Sequence, residues 1–230
     1  MQTCEIAAVP LWRRQGVARK AALLSPSMSS RVKIFNALEK LLQEEELDSI
    51  TVREICEEAD VGRATFYAYF KDKYDVVLWY EVLTHETGVG QIGRTLTWEE
   101  GNRRTCEGIL AKVDMLNKAA RSNDRNAINP YSQRWRIDKM EETLTEYIGV
   151  EIGPRLHYQV SGLAAAQAEI ATEYFNDPNR CSIEEFVEVM SCIVPRELYA
   201  LLEEPAAPKE EDGTVRDMEL ALTIVQMMQA

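Results

Sequence analysis

The 230-residue sequence has little that would point to a membrane or to export. No run of 18 or more consecutive apolar residues occurs, so we do not expect a membrane-spanning helix. The first ten residues contain no basic segment followed by an apolar block, so no secretion signal is indicated. We therefore expect a cytoplasmic protein that has no membrane partner.

Cysteine and histidine are also scarce, with five and two residues respectively. The cysteines are scattered and no Cys-x-x-Cys pair exists, which argues against a disulfide framework and against a zinc site. His85 and His157 lie far apart and have no neighbours at the spacing of a triad or a metal site. We expect free and mostly buried thiols, no catalytic residue, no metal and no cofactor.

Negative charge is in excess, with a formal net charge of -12, but it is unevenly spread. Residues 1–80 carry 11 Lys and Arg against 12 Asp and Glu, whereas residues 81–230 carry 15 against 26. A neutral head joined to an acidic body suits a protein that binds DNA with the head alone. It suits an acidic enzyme equally well, so charge does not decide between them.

The apolar residues recur at helical spacing, and no strand-like alternation or internal repeat is present, so we predict an all-α fold. Residues 1–30 have no such pattern. It begins at Arg31, and the apolar residues of 34–42 share one helical face. Three Ser/Thr-x-x-Glu capping boxes predict helix starts at Thr51, Thr97 and Ser182. Pro154 suits the first position of another helix. Later helices are predicted over 97–120, 131–148, 156–175, 182–203 and 214–229.

Residues 51–70 have the pattern of a helix-turn-helix, two short helices joined by a turn and held at a fixed angle by apolar residues. The shared core is predicted to be Val52, Ile55, Ala59, Val61, Phe66 and Phe70. Asp60 and Gly62 break the chain between the helices, since both tolerate unusual backbone angles. Four aromatic residues occur within 66–70, and they cannot all face inward on one helix. An outward face on the second helix favours DNA binding.

Arg63 is the strongest candidate for reading bases, because its guanidinium can bond guanine O6 and N7 in the major groove. Lys71 and Lys73 flank the start of a further helix, where free backbone N–H groups also favour an anion. The full set of predicted DNA contacts is Thr51, Arg53, Arg63, Ala64, Thr65, Tyr67, Tyr69, Lys71 and Lys73.

The stretch from Arg31 to Trp79 resembles the DNA-binding domain of TetR-family regulators, notably in Ile50-Thr51-Val52-Arg53-Glu54-Ile55 and in Thr65-Phe66-Tyr67-Ala68-Tyr69-Phe70-Lys71-Asp72-Lys73. The resemblance implies that Thr65, Tyr67, Tyr69 and Lys73 lie where family members meet DNA. Two positions depart from the family pattern, which usually has Gly in place of Asp60 and often His in place of Tyr69. Residues 160–202 resemble the C-terminal helices of the branch that includes dihydroxyacetone-kinase regulators.

The predicted organisation has four segments. They are a flexible N-terminal arm (1–30), a three-helix DNA-binding domain with the helix-turn-helix (31–80), a helical dimerisation and effector domain (81–204), and a linker with a C-terminal amphipathic helix (205–230). We expect a repressor that binds double-stranded DNA at a roughly palindromic operator as a homodimer and is released by a small-molecule effector.

Two surfaces of the body are predicted to serve these roles. Small residues from Gly162 to Ala168 allow close helix approach and predict, with residues 183–202, a dimer-forming four-helix bundle. The dimer residues are predicted to be Gly162, Ala166, Ile170, Val187, Met190 and Val194. The effector pocket is predicted to be lined by Trp98, Cys106, Met115, Trp135, Met140 and Tyr147.

Two alternatives stay open at this stage. Gly88 to Gly93 match Gly-x-Gly-x-x-Gly, the signature of a dinucleotide-binding enzyme, although that fold needs strands that the sequence does not offer. We interpret the glycines as a hinge between head and body. The other alternative is a helical co-regulator that has lost DNA binding, which the acidic excess favours.

Overall fold

The computed structural model describes residues 26–121 and 129–205, together with 221, 224, 225 and 228. Every regular element in these ranges is helical, and the β-type pairing there is one isolated bridge between Ile92 and Leu96. The helices are α1 (Pro26–Leu41), α2 (Val52–Glu58), α3 (Arg63–Tyr69), α4 (Lys73–Thr87), α5 (Trp98–Ala111), α6 (Val113–Ala120), α7 (Asn129–Glu142), α8 (Pro154–Asn176), α9 (Ile183–Cys192) and α10 (Arg196–Leu202), with a 3₁₀ turn at Val89–Gln91 and a π-helix at Thr143–Ile148. The all-α prediction is confirmed.

The chain divides into two compact units, Met1–Val77 and Leu78–Ala230, and the division falls inside α4. In the first unit α1, α2 and α3 contact one another. Their shared core contains Phe35, Leu38, Ile55, Phe66 and Phe70, all with no exposed surface. These three helices therefore share one apolar centre, as the periodicity of each predicts.

Helix α1 begins at Pro26, five residues before the expected start at Arg31. Residues 26–30, which we assigned to the flexible arm, are therefore helical. The rest of the predicted arm, residues 1–25, lies outside the described residues.

The second unit has two apolar clusters. The larger one gathers Trp98, Leu144, Val160, Leu198 and Leu202 from α5, the π-helix, α8 and α10. The smaller one joins α5, α8 and α9, and its members include Cys106, Ala171, Tyr174, Phe186 and Met190. The rings of Tyr174 and Phe186 stack there at 3.8 Å. Helices α5 and α8 thus contribute to both clusters.

Local signals predicted most helix starts correctly. All three capping boxes form, at Thr51, Thr97 and Ser182, and Pro154 occupies the first turn of α8. Two predicted helices are each interrupted. The segment 97–120 breaks at Lys112, and 182–203 breaks before Pro195, which lacks a backbone N–H and disfavours helical geometry in the residue preceding it.

The glycine-rich segment is a turn packed inside the second unit, which corrects its interpretation as a hinge between head and body. The Val89 backbone N–H donates to Thr105 Oγ1 of α5 at 2.9 Å. A Cβ atom on Gly88 would collide with that hydroxyl and would lie 2.9 Å from the Gly101 carbonyl oxygen. Glycine is required there by close packing against α5, and the described elements form no sheet that could carry a dinucleotide site.

No helix among the described residues is long and apolar enough to cross a lipid bilayer. The predicted linker and most of the C-terminal helix, residues 206–220 and much of 221–230, lie outside the described residues. Ala221, Ile224, Val225 and Met228 are helical, and the last three are buried. Their spacing of three and four residues matches one face of a helix.

Candidate nucleic-acid interface

Helix α2 begins with a complete reciprocal cap. The Thr51 backbone N–H donates to Glu54 Oε2 at 2.7 Å, and the Glu54 N–H donates to Thr51 Oγ1 at 3.3 Å. The bonds to Thr51 hold the pKa of Glu54 below its usual value. Arg53 is exposed and lies 3.6 Å from Glu57 one turn later. The cap fixes where α2 starts, while Arg53 stays at the surface with a weak ionic partner.

The turn between α2 and α3 depends on Asp60, whose φ of 51° is left-handed. This is the conformation that the sequence predicted for the break, and aspartate tolerates it better than most residues. The Val61 N–H then donates to the Cys56 carbonyl at 3.0 Å and closes the end of α2. Gly62 has an ordinary φ of -74°, so it is not the residue on which the turn geometry depends.

Helix α3 has one buried and one open face. Phe66 and Phe70 have no exposed surface, whereas Arg63, Ala64 and Tyr67 are exposed and Tyr67 is 46% accessible. Thr65 is half-buried. The ring of Tyr67 meets the edge of Phe66 at 5.4 Å, which orients it on the core. The exposed face offers a guanidinium, a methyl group and a phenol hydroxyl, which are groups that read base edges and phosphates.

Tyr69 is half-buried, and the guanidinium of Arg31 from α1 lies 5.1 Å from its ring centroid. A cation at that distance is attracted to the face of an aromatic ring. The ring therefore packs against α1, and any phosphate contact by Tyr69 would have to come from its hydroxyl.

The two lysines near the start of α4 have different surroundings. Lys73 Nζ donates to the backbone carbonyls of Asp48 at 2.9 Å and Ile50 at 2.7 Å, and burial lowers the pKa of this lysine. Lys71 is exposed. Lys73 thus ties the start of α4 to the segment before α2, a role that no local sequence signal announces. Lys71 is the better placed of the two to meet a phosphate.

The start of α4 is also less open to an anion than we expected. The Asp75 N–H donates to Asp72 Oδ1 at 3.0 Å, and the buried Asp75 carboxylate accepts the Lys71 N–H at 2.9 Å. Carboxylates of the chain itself already occupy these donors. This corrects the expectation of free backbone N–H groups at that helix end.

Residues 34–78 match the family model of bacterial regulatory proteins of the tetR family. The match spans α2 and α3 and parts of α1 and α4. This part of the chain is therefore similar to the N-terminal domain of TetR-family regulators, which bind DNA.

One solved structure supports the fold, and two others show weaker likeness. The "dihydroxyacetone kinase operon activator DhaS" is 16% identical with a TM-score of 0.54, and the match covers 77% of this chain and 98% of that one. A TetR transcriptional regulator from Streptococcus agalactiae 2603V (22% identity, TM-score 0.49, 74% and 96% covered) and the TetR-family repressor AlkX from Dietzia sp. strain DQ12-45-1b (18%, 0.48, 76% and 99%) also match. No curated protein matches the chain.

The second unit contains a small cavity of about 20 Å³. Three of the six predicted pocket residues line it, namely Trp98, Trp135 and Met140. Cys106 lies in the smaller apolar cluster, and burial raises its pKa to about 12, so the thiol is inert. Met115 is buried but not among the lining residues, and Tyr147 packs against the Arg94 guanidinium at 4.3 Å.

Sequence reasoning missed Arg136 and Gln167, which also line the cavity and are both buried. A signal for Gln167 was present, because it falls on the buried stripe of α8 with Leu163, Ala164 and Ala171. A polar residue on an apolar helix face needs an explanation, since burying it unpaired is costly.

The predicted dimer residues differ in exposure between the two parts of the chain that contain them. On α8, Gly162 and Ala166 are exposed, Ile170 is half-buried, and a Cβ on Gly162 would meet nothing within 4 Å. On α9 and in the connection after it, by contrast, Val187, Met190 and Val194 are buried within the chain's own core. This corrects the predicted face of α9, where the apolar stripe serves internal packing.

The open side of α9 presents other residues. Val189 is 44% accessible, and Cys192 is exposed and free, as is Cys181. Two of the four described thiols are therefore at the surface, contrary to the expectation of mostly buried cysteines. Tyr158 on α8 is 73% accessible. Tyr158 and the small residues of α8 are thus exposed, as are Val189 and Cys192 of α9.

Proposed function

We propose that the protein is a cytoplasmic transcriptional repressor that binds DNA through α3. The observation that supports this most directly is the division of α3 into a sealed face, Phe66 and Phe70, and an open face with Arg63, Ala64 and Tyr67. A recognition helix needs this combination, because its core face fixes its position while short or donor-bearing side chains enter the major groove.

The proposed DNA contacts fall into two groups, those to bases and those to phosphates. Arg63 would bond a guanine, while the methyl groups of Ala64 and Thr65 would meet thymine methyls. Phosphates would be held by the hydroxyls of Thr51, Tyr67 and Tyr69 and by the cations of Arg53, Lys71 and Lys73. Lys73 is the weakest member of this set, since two backbone carbonyls already hold its ammonium.

We further propose a homodimer through exposed residues of α8 and α9, with Gly162 and Ala166 at its centre and Ile170 at its edge. Small residues let two helices approach closely, as a four-helix bundle between subunits requires. Two-fold symmetry then predicts a roughly palindromic operator. A small molecule in the second unit would shift the dimer between DNA-binding and released states.

The DNA contact is tested by selecting bound duplexes from a random pool and measuring affinities by fluorescence anisotropy. Arg63→Ala should lose about 1–3 kcal/mol and relax base preference at one position. Arg134→Ala is the matched control, since it removes one positive charge from an exposed residue of the second unit. Unchanged operator binding by Arg63→Ala would exclude α3 as the reading helix.

A helical co-regulator without DNA binding is the second candidate. It is supported by the exposed carboxylates beside α3, namely those of Glu57, Glu58 and Asp60. Affinity for pooled genomic fragments at two salt concentrations distinguishes the two functions, because phosphate contacts weaken steeply as salt rises. A co-regulator would give no salt-dependent binding.

A further inference from the structure

The cavity of the second unit has an unusual set of unpaired groups in its wall. The side-chain nitrogens Trp98 Nε1, Trp135 Nε1, Arg136 Nε and Gln167 Nε2 are buried and have no hydrogen-bond partner among the described residues. All four residues are more than nine-tenths buried. Each of these atoms is a donor. Each buried donor without a hydrogen-bond partner lowers stability by about 1–3 kcal/mol. Four such donors on residues that line one cavity of about 20 Å³ indicate that a ligand accepts their hydrogen bonds.

The charges of the residues that line the cavity restrict the chemical class of ligand that it can bind. Two cationic residues, Arg136 and Lys139, line the cavity, and none of the described lining residues carries a carboxylate. The Lys139 ammonium is held by Glu142 at 2.9 Å, whereas Arg136 makes no ion pair within the part of the chain that the structure describes. The unpaired buried side-chain atoms of the lining residues are all donors, one of them on a buried guanidinium, which suits a ligand group that accepts hydrogen bonds.

Arg136 is fixed in place by a histidine. His85 Nδ1 lies 2.8 Å from the Glu81 carbonyl oxygen, so it carries the proton, and Nε2 accepts from Arg136 Nη2 at 3.2 Å. Burial, reinforced by the positive charge of Arg136, lowers the pKa of His85 to about 3, so the ring is neutral at physiological pH. The guanidinium is thus anchored at one nitrogen and unsatisfied at Nε, which faces no acceptor of the described chain.

Glu81 is an acidic group that interacts with Arg136 through space. Burial raises the pKa of Glu81 to about 7, and its Oε2 has no hydrogen-bond partner among the described residues. Its carboxyl group is therefore protonated in a large share of molecules near neutral pH and only partly offsets the guanidinium charge. It does not line the cavity.

We propose that this cavity binds a small oxyanion, a carboxylate or a phosphate, through Arg136, Gln167 and the indole N–H groups of Trp98 and Trp135. The role of this ligand as the effector rests on the proposed function, whereas its binding does not. The present volume admits one atom of the size of a water oxygen, so a whole carboxylate enters only if the wall yields. Met140 and Leu202 are flexible apolar members of that wall and can move aside.

Binding is tested on the protein alone, by tryptophan fluorescence and thermal unfolding in a chloride-free buffer of constant ionic strength. The probes are sodium acetate and sodium phosphate, with acetamide as the neutral match for acetate. Either anion should change the fluorescence and raise the melting temperature, while acetamide should do neither. The acetate and phosphate arms identify which oxyanion the site prefers.

Variants connect the response to the cavity. Arg136→Gln should weaken binding at least tenfold, whereas Arg134→Gln, on the same helix but exposed, should leave it unchanged. Trp98→Phe and Trp135→Phe keep an aromatic ring but remove the N–H, and each should weaken binding about tenfold. They provide the test even if Arg136→Gln fails to fold. No response to either anion, or an equal response to acetamide, would overturn the proposal.

The effector role has its own readout. The anion that binds should reduce affinity for the selected operator in the parent protein and not in Trp135→Phe. A protein that binds the anion but no DNA would refute the proposed function and leave the site intact. A protein that binds DNA but neither anion would refute the site alone.

Discussion

Lys71 and Lys73 have different surroundings, so substitutions can test which lysine stabilises the fold and which contacts DNA. Lys73→Met keeps the length of the side chain and removes its ammonium, and Lys71→Met makes the same change two residues earlier at an exposed position. Both variants lose one positive charge. They should differ in their effects on the stability of the fold and on DNA binding.

The magnitude for Lys73 follows from two hydrogen bonds, at 2.9 Å to Asp48 O and 2.7 Å to Ile50 O. Hydrogen bonds to charged groups contribute about 1.5–3 kcal/mol each, but both carbonyls lie near solvent and regain water when the lysine is removed. We therefore expect Lys73→Met to lower the free energy of unfolding by about 1–3 kcal/mol in total. Lys71→Met should lower it by less than about 0.5 kcal/mol.

Urea unfolding followed by circular dichroism measures the free energy of unfolding, and operator binding at several salt concentrations measures the contribution of each lysine to DNA binding. Lys71→Met should reduce the slope of log affinity against log salt by about one. Lys73→Met should change that slope less, provided that the measurement is made well below its melting temperature. Equal urea midpoints for Lys73→Met and the parent protein would refute the structural role of this lysine.

Three further outcomes are expected. Gly88→Ala should lower stability by about 1–3 kcal/mol in thermal unfolding, because its Cβ would collide with Thr105 and crowd the Gly101 carbonyl, and an unchanged melting temperature would contradict this packing. His85 has its pKa lowered in the fold to about 3, so the unfolded chain binds its proton first and stability should fall as pH drops from about 6.5 toward 3. His85→Gln should lose up to a few kcal/mol of that pH dependence, and an identical acid profile would count against a buried neutral ring. If the proposed dimer forms through α8, Ala166→Arg should convert it to monomer in light scattering while circular dichroism stays unchanged, and a persisting dimer would exclude the α8 surface.

Much of the first unit was legible in the sequence because its determinants are local. The cap at Thr51 depends on a residue three positions away, and the inward face of α3 follows from the spacing of Phe66 and Phe70. The left-handed Asp60 was likewise predicted from its residue type. Such signals lie within one or two turns of helix, where chain geometry alone brings the groups together.

The misjudged features depend on contacts between distant parts of the chain. Lys73 meets carbonyls 23 and 25 residues away, and the apolar side chains of α9 pack internally because α5 and α8 cover them. Gly88 serves close packing on α5, Gly90 lies against Trp135 and Gly93 against Leu202, whereas the local motif alone pointed to a hinge or a cofactor. Periodicity shows that a helix has an apolar face, but only the tertiary arrangement shows what covers it.

The π-helix at Thr143–Ile148 follows α7 directly and ends at Gly149, whose φ of 79° is left-handed. Its wider turn holds one residue more than an α-helix of the same length would contain. Thr143 begins this turn, lines the cavity and accepts a hydrogen bond from the buried Arg94 Nε at 2.8 Å. Deleting a single residue here would restore ordinary α-helical winding and leave the residues that follow in register, so this segment should tolerate the loss of one residue better than a regular α-helix would.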